Sequence, residues 1–142
     1  MNLMPKPRRD GGVPVDGEAA QRLFDEFEVR LARAAAQSGP RNVRALQMLG
    51  QALTRCGRHQ EALEADLRLT VLCPKDPVAF YNLACSYSNL ANLDAAFDAL
   101  SRAFEFGYND YRHLLRDPDL EAVRQDRRFK KLLDRKWGKR QP

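Results

Sequence analysis

The chain has 142 residues, of which 44% are hydrophobic and 30% charged, a composition typical of one globular domain rather than a disordered chain. No run of about 18 apolar residues occurs, so the sequence excludes a membrane-spanning helix. The net charge of +5 comes from one end, because residues 127–140 hold eight basic residues and one acidic residue, which leaves −2 for the remainder. Isoleucine is absent and Leu, Ala and Arg are the commonest residues, which predicts an all-α fold.

Residues 1–16 are rich in proline and glycine and lack apolar periodicity, which predicts a disordered arm. They include basic residues but no apolar stretch of the secretory-signal kind, so we expect a cytoplasmic protein. A helix is expected over residues 18–37, because apolar residues recur there at intervals of three and four. The large apolar residues that would line its packed face are Leu23, Phe24, Phe27 and Leu31.

Two helix pairs are expected next, over residues 43–76 and 77–108. The apolar positions of the second pair are Phe80, Leu83, Ala84, Tyr87, Ala96 and Ala103, and 34 residues upstream stand Leu46, Leu49, Gly50, Leu53, Ala62 and Leu69. In the second pair, Asp94 is the expected N-cap of the second helix and Gly107 its C-cap. A period of about 34 residues is typical of stacked helix-turn-helix repeats.

Both segments resemble the tetratricopeptide repeat. Phe80 stands at its aromatic position, Leu83-Ala84 at its Leu-Gly position and Tyr87 at its Tyr position, whereas Asp66 departs from the pattern at a position that is usually aromatic. Residues 110–136 resemble the helical closing module of small bacterial proteins of this family. The resemblance implies a right-handed superhelical solenoid of antiparallel helix pairs, with capping helices at both ends of a single domain over residues 17–136.

Within the closing module, helices are expected over residues 110–115, 120–125 and 128–136, with a basic tail over 137–142. Eight Lys and Arg residues interleaved with Phe129 and Trp137 suggest an alternative function, the binding of nucleic acid or an anionic surface by charge and base stacking. Phe129, Leu132 and Leu133 also have helical spacing, so they could instead seal the core. A homodimer formed through the helical ends is left open.

No catalytic or metal-binding pattern is present in the sequence. Cys56, Cys73 and Cys85 are too far apart for a CxxC pair, and the two histidines are isolated from each other. No serine lies in a Gly-x-Ser-x-Gly elbow, and no glycine-rich phosphate loop occurs. We therefore expect neither an enzyme, nor a cofactor, nor a metal, and we expect the cysteines to be free thiols.

The resemblance implies that the first helix of each pair lines a concave groove, and that side chains not needed for packing point into it. In the first pair these are Arg44, Gln47, Gln51, Thr54 and Arg55; in the second they are Val78, Tyr81, Asn82, Cys85, Ser88 and Asn89; Arg112 and Arg116 would complete the wall. This lining is polar, amide-rich and basic. It suits an extended peptide, because amides can hydrogen-bond its backbone and Arg can hold a carboxylate.

Some relatives in this family hold the terminal carboxylate of a chaperone tail with Lys, Asn and Arg residues. Asn82, Arg112 and Arg116 match positions of that clamp, while Gln47 and Gln51 depart from it. The sequence thus predicts a non-catalytic protein-interaction module, such as a scaffold or adaptor, whose partner it does not name. The alternative for the groove itself is a solvated polar helix face.

Overall fold

The computed structural model describes residues 16–138. The predicted disordered arm, apart from Asp16, and the basic tail beyond Gly138 lie outside the described residues. The helices are α1 Gly17–Ser38, α2 Val43–Arg55, α3 His59–Leu72, α4 Pro77–Asn89, α5 Leu93–Glu105, α6 Tyr111–Arg116, α7 Glu121–Gln125 and α8 Arg128–Trp137, with a 3₁₀ turn at Pro118–Leu120. No strand occurs over residues 16–138, and each of α1 to α4 packs on the helix that follows it, so the all-α fold of stacked helix pairs is confirmed.

The 34-residue period is visible in the helix bounds. The first helices of the two pairs begin at Val43 and Pro77, and the second helices begin at His59 and Leu93, so each start recurs 34 residues later. The repeat is therefore a repeat of structure as well as of sequence.

The turns inside the two pairs have the same backbone conformation and hydrogen bond at equivalent positions. After α2, Gly57 adopts a φ of 70°, and the amide of Arg58 donates to the carbonyl of Leu53 at 2.9 Å. After α4, Ala91 adopts a φ of 57°, and the amide of Asn92 donates to the carbonyl of Tyr87 at 2.9 Å. Both turns are Schellman caps, which place one residue in the left-handed region where glycine is favoured. The second repeat thus puts an alanine where the first has a glycine.

The N-cap of α5 differs from the prediction. Asn92, not Asp94, is the cap, and its side-chain oxygen accepts a hydrogen bond from the amide of Ala95 at 3.4 Å. The helix has already begun at Leu93, so Asp94 lies in the first turn. There its charge still suits the positive end of the helix dipole. The predicted C-cap Gly107 has a φ of 108°, in the left-handed region.

The core consists of two clusters of buried side chains that meet where α3 packs on α4. The N-terminal cluster is rich in alanine and leucine and is built from Val29, Ala32, Ala36, Ala45, Leu46, Leu49, Ala52, Leu53, Ala62, Ala65, Leu69 and Ala79. The C-terminal cluster contains the aromatic residues Phe80, Tyr81, Phe97, Phe104, Tyr108 and Phe129, together with Leu100, Leu114, Leu120 and Leu132. The closing helices α6 to α8 therefore pack onto the second repeat.

Helix α1 packs with the face opposite to the predicted one. Val29, Ala32 and Ala36 are buried, whereas the four residues expected in the core, Leu23, Phe24, Phe27 and Leu31, are 54–70% exposed. The helix carries two apolar arcs, and the arc of smaller side chains lets α1 approach α2 closely.

Ion pairs on the packed side of α1 stabilise this orientation of the helix. Arg55 pairs with Asp25 at 3.1 Å and also with Glu28, while Arg33 pairs with Glu61 at 2.7 Å. Rotating α1 to bury its larger residues would separate these partners and expose them to water.

None of the helices between residues 16 and 138 has the length and apolar character that a membrane span requires.

Candidate peptide-binding groove

The first helices of the two repeats and the segment between α6 and α7 line a cavity of about 340 Å³ that is partly open to solvent. Its lining consists of Gly50, Gln51, Thr54, Arg55, Asp66, Tyr81, Asn82, Cys85, His113, Asp117, Pro118 and Asp119. A second cavity of about 330 Å³ adjoins it, because Pro118 and Asp119 line both, and Ser88 and Asn89 belong to the second. The two cavities form a continuous lining along α4.

Eight of the thirteen groove residues named from the sequence line these two cavities. They are Gln51, Thr54, Arg55, Tyr81, Asn82, Cys85, Ser88 and Asn89. The other five, Arg44, Gln47, Val78, Arg112 and Arg116, lie outside both cavities. The cavities therefore lie along the C-terminal half of α2 and along α4 from Tyr81 to its end, and neither α6 arginine lines them.

Three of the eight are structural as well, which corrects the expectation that packing does not need them. Tyr81 is only 4% exposed, and its ring stacks on that of Tyr108 with the centroids 4.2 Å apart. Cys85 and Ser88 are also buried. The reason is that the chain between α6 and α7 folds back over this face of α4, which the sequence pattern of α4 alone cannot show.

Asp117 is the buried acceptor that joins this segment to α4. Its Oδ2 accepts a hydrogen bond from the hydroxyl of Tyr81 at 2.7 Å and lies 3.7 Å from Sγ of Cys85 and 3.2 Å from Nε2 of His113. Its Oδ1 accepts the amide of Asp119 at 2.9 Å, which caps the 3₁₀ turn.

The same network keeps its donors protonated. Burial, the neighbouring thiol and the hydrogen bond to Asp117 raise the pKa of Tyr81 above its usual range. Burial and the charge of Asp117 likewise raise the pKa of Cys85. A thiol with a raised pKa holds little thiolate, the form that acts as a nucleophile, so Cys85 is an inert wall residue.

Asp66 is a functional candidate that the sequence marked only as a departure from the repeat pattern. Its carboxyl is 4% exposed and accepts a hydrogen bond from Ser86 Oγ at 2.6 Å. Burial raises its pKa to about 6, although the bond from Ser86 acts in the opposite direction. A Cβ on Gly50 would come within 2.8 Å of Asp66 Oδ1. Glycine at 50 therefore leaves the space that the buried carboxyl occupies.

The equivalent pair in the second repeat is Ala84 and Leu100, 34 residues downstream. Comparing the two repeats position by position would have shown that Gly50 and Asp66 change together. That comparison is the signal by which sequence reasoning could have found the buried acid.

The electrostatic character of the main cavity differs from the basic lining that was expected. The carboxyls of Asp66, Asp117 and Asp119 line it. Arg55 is the arginine of the lining, and its guanidinium is paired with Asp25 and Glu28 of α1. The amides of Asn82 and Gln51 are present as predicted. The lining thus holds two amides and three carboxyls, of which Asp66 and Asp117 are buried, and this excess of carboxyls disfavours a clamp for a terminal carboxylate.

The basic C-terminal helix uses its aromatic residues for packing. Phe129 is buried in the core, and the ring of Trp137 meets those of Phe104 and Tyr111 edge-on at 5.0 and 5.1 Å between centroids. Arg128 pairs with Asp94 at 2.6 Å and lies over the ring of Phe97. The two aromatic residues expected to stack on bases are therefore already engaged within the chain.

Comparison with known proteins decides the nature of the second helix pair. Residues 77–106, which contain α4 and α5, match the family model of the tetratricopeptide repeat. This segment is a tetratricopeptide repeat. The chain is also 37% identical over 90 residues to a protein of Arabidopsis thaliana whose name describes it as chloroplastic, an alignment that covers 59% of this chain and 26% of that protein. The chain spans about a quarter of the length of that relative. Tetratricopeptide repeats are protein-interaction folds in general, and this one supplies Tyr81, Asn82 and Cys85 to the main cavity and Ser88 and Asn89 to the second.

Proposed function

We propose that the chain is a non-catalytic protein-interaction module that binds an extended segment of a partner protein along α2 and α4. A basic side chain of that segment would enter the main cavity. The observation that carries the proposal is the cavity itself: it lies between the first helices of the two repeats and is lined by amides and three carboxyls. The cytoplasmic location and the assignment to a small bacterial type of repeat protein remain predictions from the sequence. The Arabidopsis relative is named as chloroplastic.

The amides suit the backbone of an extended peptide. Asn82 and Gln51 each offer an N–H donor and a carbonyl acceptor, so they can pair with successive peptide groups of a ligand. Asn89 is less available, because its side chain donates to Asp119 at 3.1 Å. Backbone pairing of this kind gives affinity with little sequence preference, so selectivity must come from the cavity.

The carboxyls suit a cationic side chain or an amino terminus. Charge-assisted hydrogen bonds between Lys or Arg and a carboxylate are about twice as strong as neutral ones. A volume of about 340 Å³ is at the lower end of the ligand-pocket range of roughly 300–1,000 Å³, so the cavity fits one long side chain. Because Arg55 is held by α1, it does not cancel the negative charge facing the ligand.

The test is selection from a random peptide library with blocked termini, followed by affinity measurement with the whole chain. We expect enrichment of peptides with a central Lys or Arg, and we expect their binding to weaken as salt is added, because partly exposed charges are screened. Asn82→Ala and Asp119→Asn should each reduce affinity about tenfold, the loss of one charge-assisted or backbone hydrogen bond. Tyr81 is left unchanged because it is buried.

The matched control is Asp98→Asn, which removes a carboxyl from the exposed surface of α5 and should leave affinity unchanged. Enrichment of acidic peptides or free C-termini would contradict the proposal, as would equal affinity of the Asp119→Asn and Asp98→Asn variants.

A further inference from the structure

Helix α1 presents a continuous apolar stripe to solvent on the side away from α2. Leu23, Phe24, Phe27 and Leu31 are 54–70% exposed and recur at intervals of one, three and four residues, which places them on one face. Ala20 and Ala34 extend the stripe at both ends. The stripe leaves roughly 500 Å² of apolar side chain in water, within the range of roughly 300–600 Å² for the largest patch of a typical monomer, and such patches are often functional.

The leucines and alanines of the stripe are placed symmetrically about Phe27. Leucines stand four residues before and after it, at 23 and 31, and alanines stand seven residues before and after it, at 20 and 34. Two antiparallel copies of such a helix place Leu23 opposite Leu31, and Ala20 opposite Ala34, of the other copy. A two-fold contact requires this self-complementarity, because the same surface serves both partners.

The charged residues beside the stripe fit the same arrangement. Phe24 and Arg30 lie three residues before and after Phe27, so each phenyl ring would face a guanidinium of the second copy. Glu26 and Glu28 would also come opposite each other, but within one chain they pair with Arg58 and Arg55. Their negative charges are thus already compensated, and they do not oppose the contact.

We propose that the α1 stripe joins two copies of this chain as an antiparallel helix pair centred on Phe27. The occupant is a second copy rather than an unrelated protein because the leucines and alanines of the stripe are symmetric about Phe27, and because Phe24 would face Arg30 of the second copy. Two stripes together bury roughly 1,000 Å², at the lower limit for specific interfaces, so the dimer is weak and depends on concentration. The contact lies on α1 and leaves the cavity between α2 and α4 open to a peptide.

Sedimentation of the whole chain over a range of concentrations tests the association. We expect the apparent mass to double between low and high micromolar concentration. Phe27→Glu should weaken the dimer by about 100-fold or more, because it removes a central aromatic anchor and introduces two facing charges. Val71→Glu is the matched control: Val71 is 79% exposed on α3, away from the stripe, and its substitution should leave the dimer intact.

Disulfide trapping tests the antiparallel register, with the wild-type chain run alongside to account for its own cysteines. Phe27→Cys should cross-link to itself. Leu23→Cys should not, since its symmetry mate lies eight residues further along the helix and a disulfide requires Cα atoms within about 7 Å. An equal mixture of Leu23→Cys and Leu31→Cys should cross-link.

A wild-type chain that stays monomeric at every concentration would overturn the proposal and would leave the stripe to residues 1–15 or to another protein. Efficient self-cross-linking of Leu23→Cys would overturn it too, by showing parallel helices. Equal weakening by Phe27→Glu and Val71→Glu would place the contact elsewhere and have the same consequence.

Discussion

The buried carboxyl of Asp66 should make the stability of the fold depend on pH. In the folded chain its pKa is raised from 3.8 to about 6 by burial. Between those two values the folded state binds more protons than the unfolded state, so the free energy of unfolding falls as pH rises. Stability from this group is complete below about pH 4 and is lost as the pH passes 6. This change of stability with pH has the opposite sign to that of an ion-paired carboxylate.

The size of the effect follows from the two pKa values. The difference between 3.8 and about 6 corresponds to about 3 kcal/mol in total, of which about 2 kcal/mol falls between pH 4.5 and pH 7. Asp66→Asn removes the ionisable group and keeps an oxygen that can accept the hydroxyl of Ser86. The stability of this variant relative to the wild type should therefore rise by about 2 kcal/mol across that interval.

The assay is urea unfolding followed by circular dichroism at several pH values, with the free energy extrapolated to zero urea. Subtracting the free energy of unfolding of the wild type from that of the variant at each pH cancels the contribution of all other titrating groups. Ser86→Ala should steepen the dependence, because the hydroxyl of Ser86 lowers the pKa of Asp66. Asp98→Asn changes an exposed carboxyl, so the pH dependence of its free energy of unfolding should match that of the wild type. A difference between Asp66→Asn and wild type that stays constant from pH 4.5 to 7 would refute the reasoning.

Three further substitutions test the geometry of the repeats, each by urea unfolding at pH 7. Ala91→Gly should stabilise the fold by about 1 kcal/mol, because residue 91 has a φ of 57° that costs an L-residue strain; no gain would mean that the turn relaxes. Gly50→Ala should destabilise by about 1–3 kcal/mol, because its Cβ would lie 2.8 Å from Asp66 Oδ1; a neutral result would contradict that contact. Tyr81→Phe should cost about 1–2 kcal/mol by removing a 2.7 Å hydrogen bond to buried Asp117, and an unchanged midpoint would show that another donor replaces the hydroxyl.

The fold could be predicted from the sequence because its determinants are local and repeated. The 34-residue shift located both helix pairs, and Gly107 marked the end of the second pair through a conformation that glycine adopts without strain. The N-cap of α5 was misplaced because Asn92 and Asp94 are both good capping residues, and their sequence gives no means of choosing between them. Periodicity also could not decide which of two apolar arcs of α1 packs.

The groove could be predicted only in outline. Helical spacing identified the residues of α2 and α4 that share a face, and the cavity includes most of them. Its charge and its burial depend on contacts between distant parts of the chain. Asp117 reaches Tyr81 across 36 residues, and Asp25 on α1 holds Arg55 from 30 residues away. A reading of each helix by itself contains neither contact, so it predicts a basic, open lining, whereas the cavity holds three carboxyls and is partly covered.

The division of the core into two clusters gives the molecule a direction of unfolding. The N-terminal cluster is filled largely by alanine and leucine, whereas the C-terminal cluster buries six aromatic rings, and each aromatic side chain removes about 150–250 Å² from water. In a linear array each unit is held only by its neighbours, so the less cohesive end opens first. Amide protons should therefore exchange in α1 and α2 before they exchange in α4 and α5. The main cavity lies between the N-terminal half, which should open first, and the C-terminal half, which should open last. A ligand bound there would hold the two halves together.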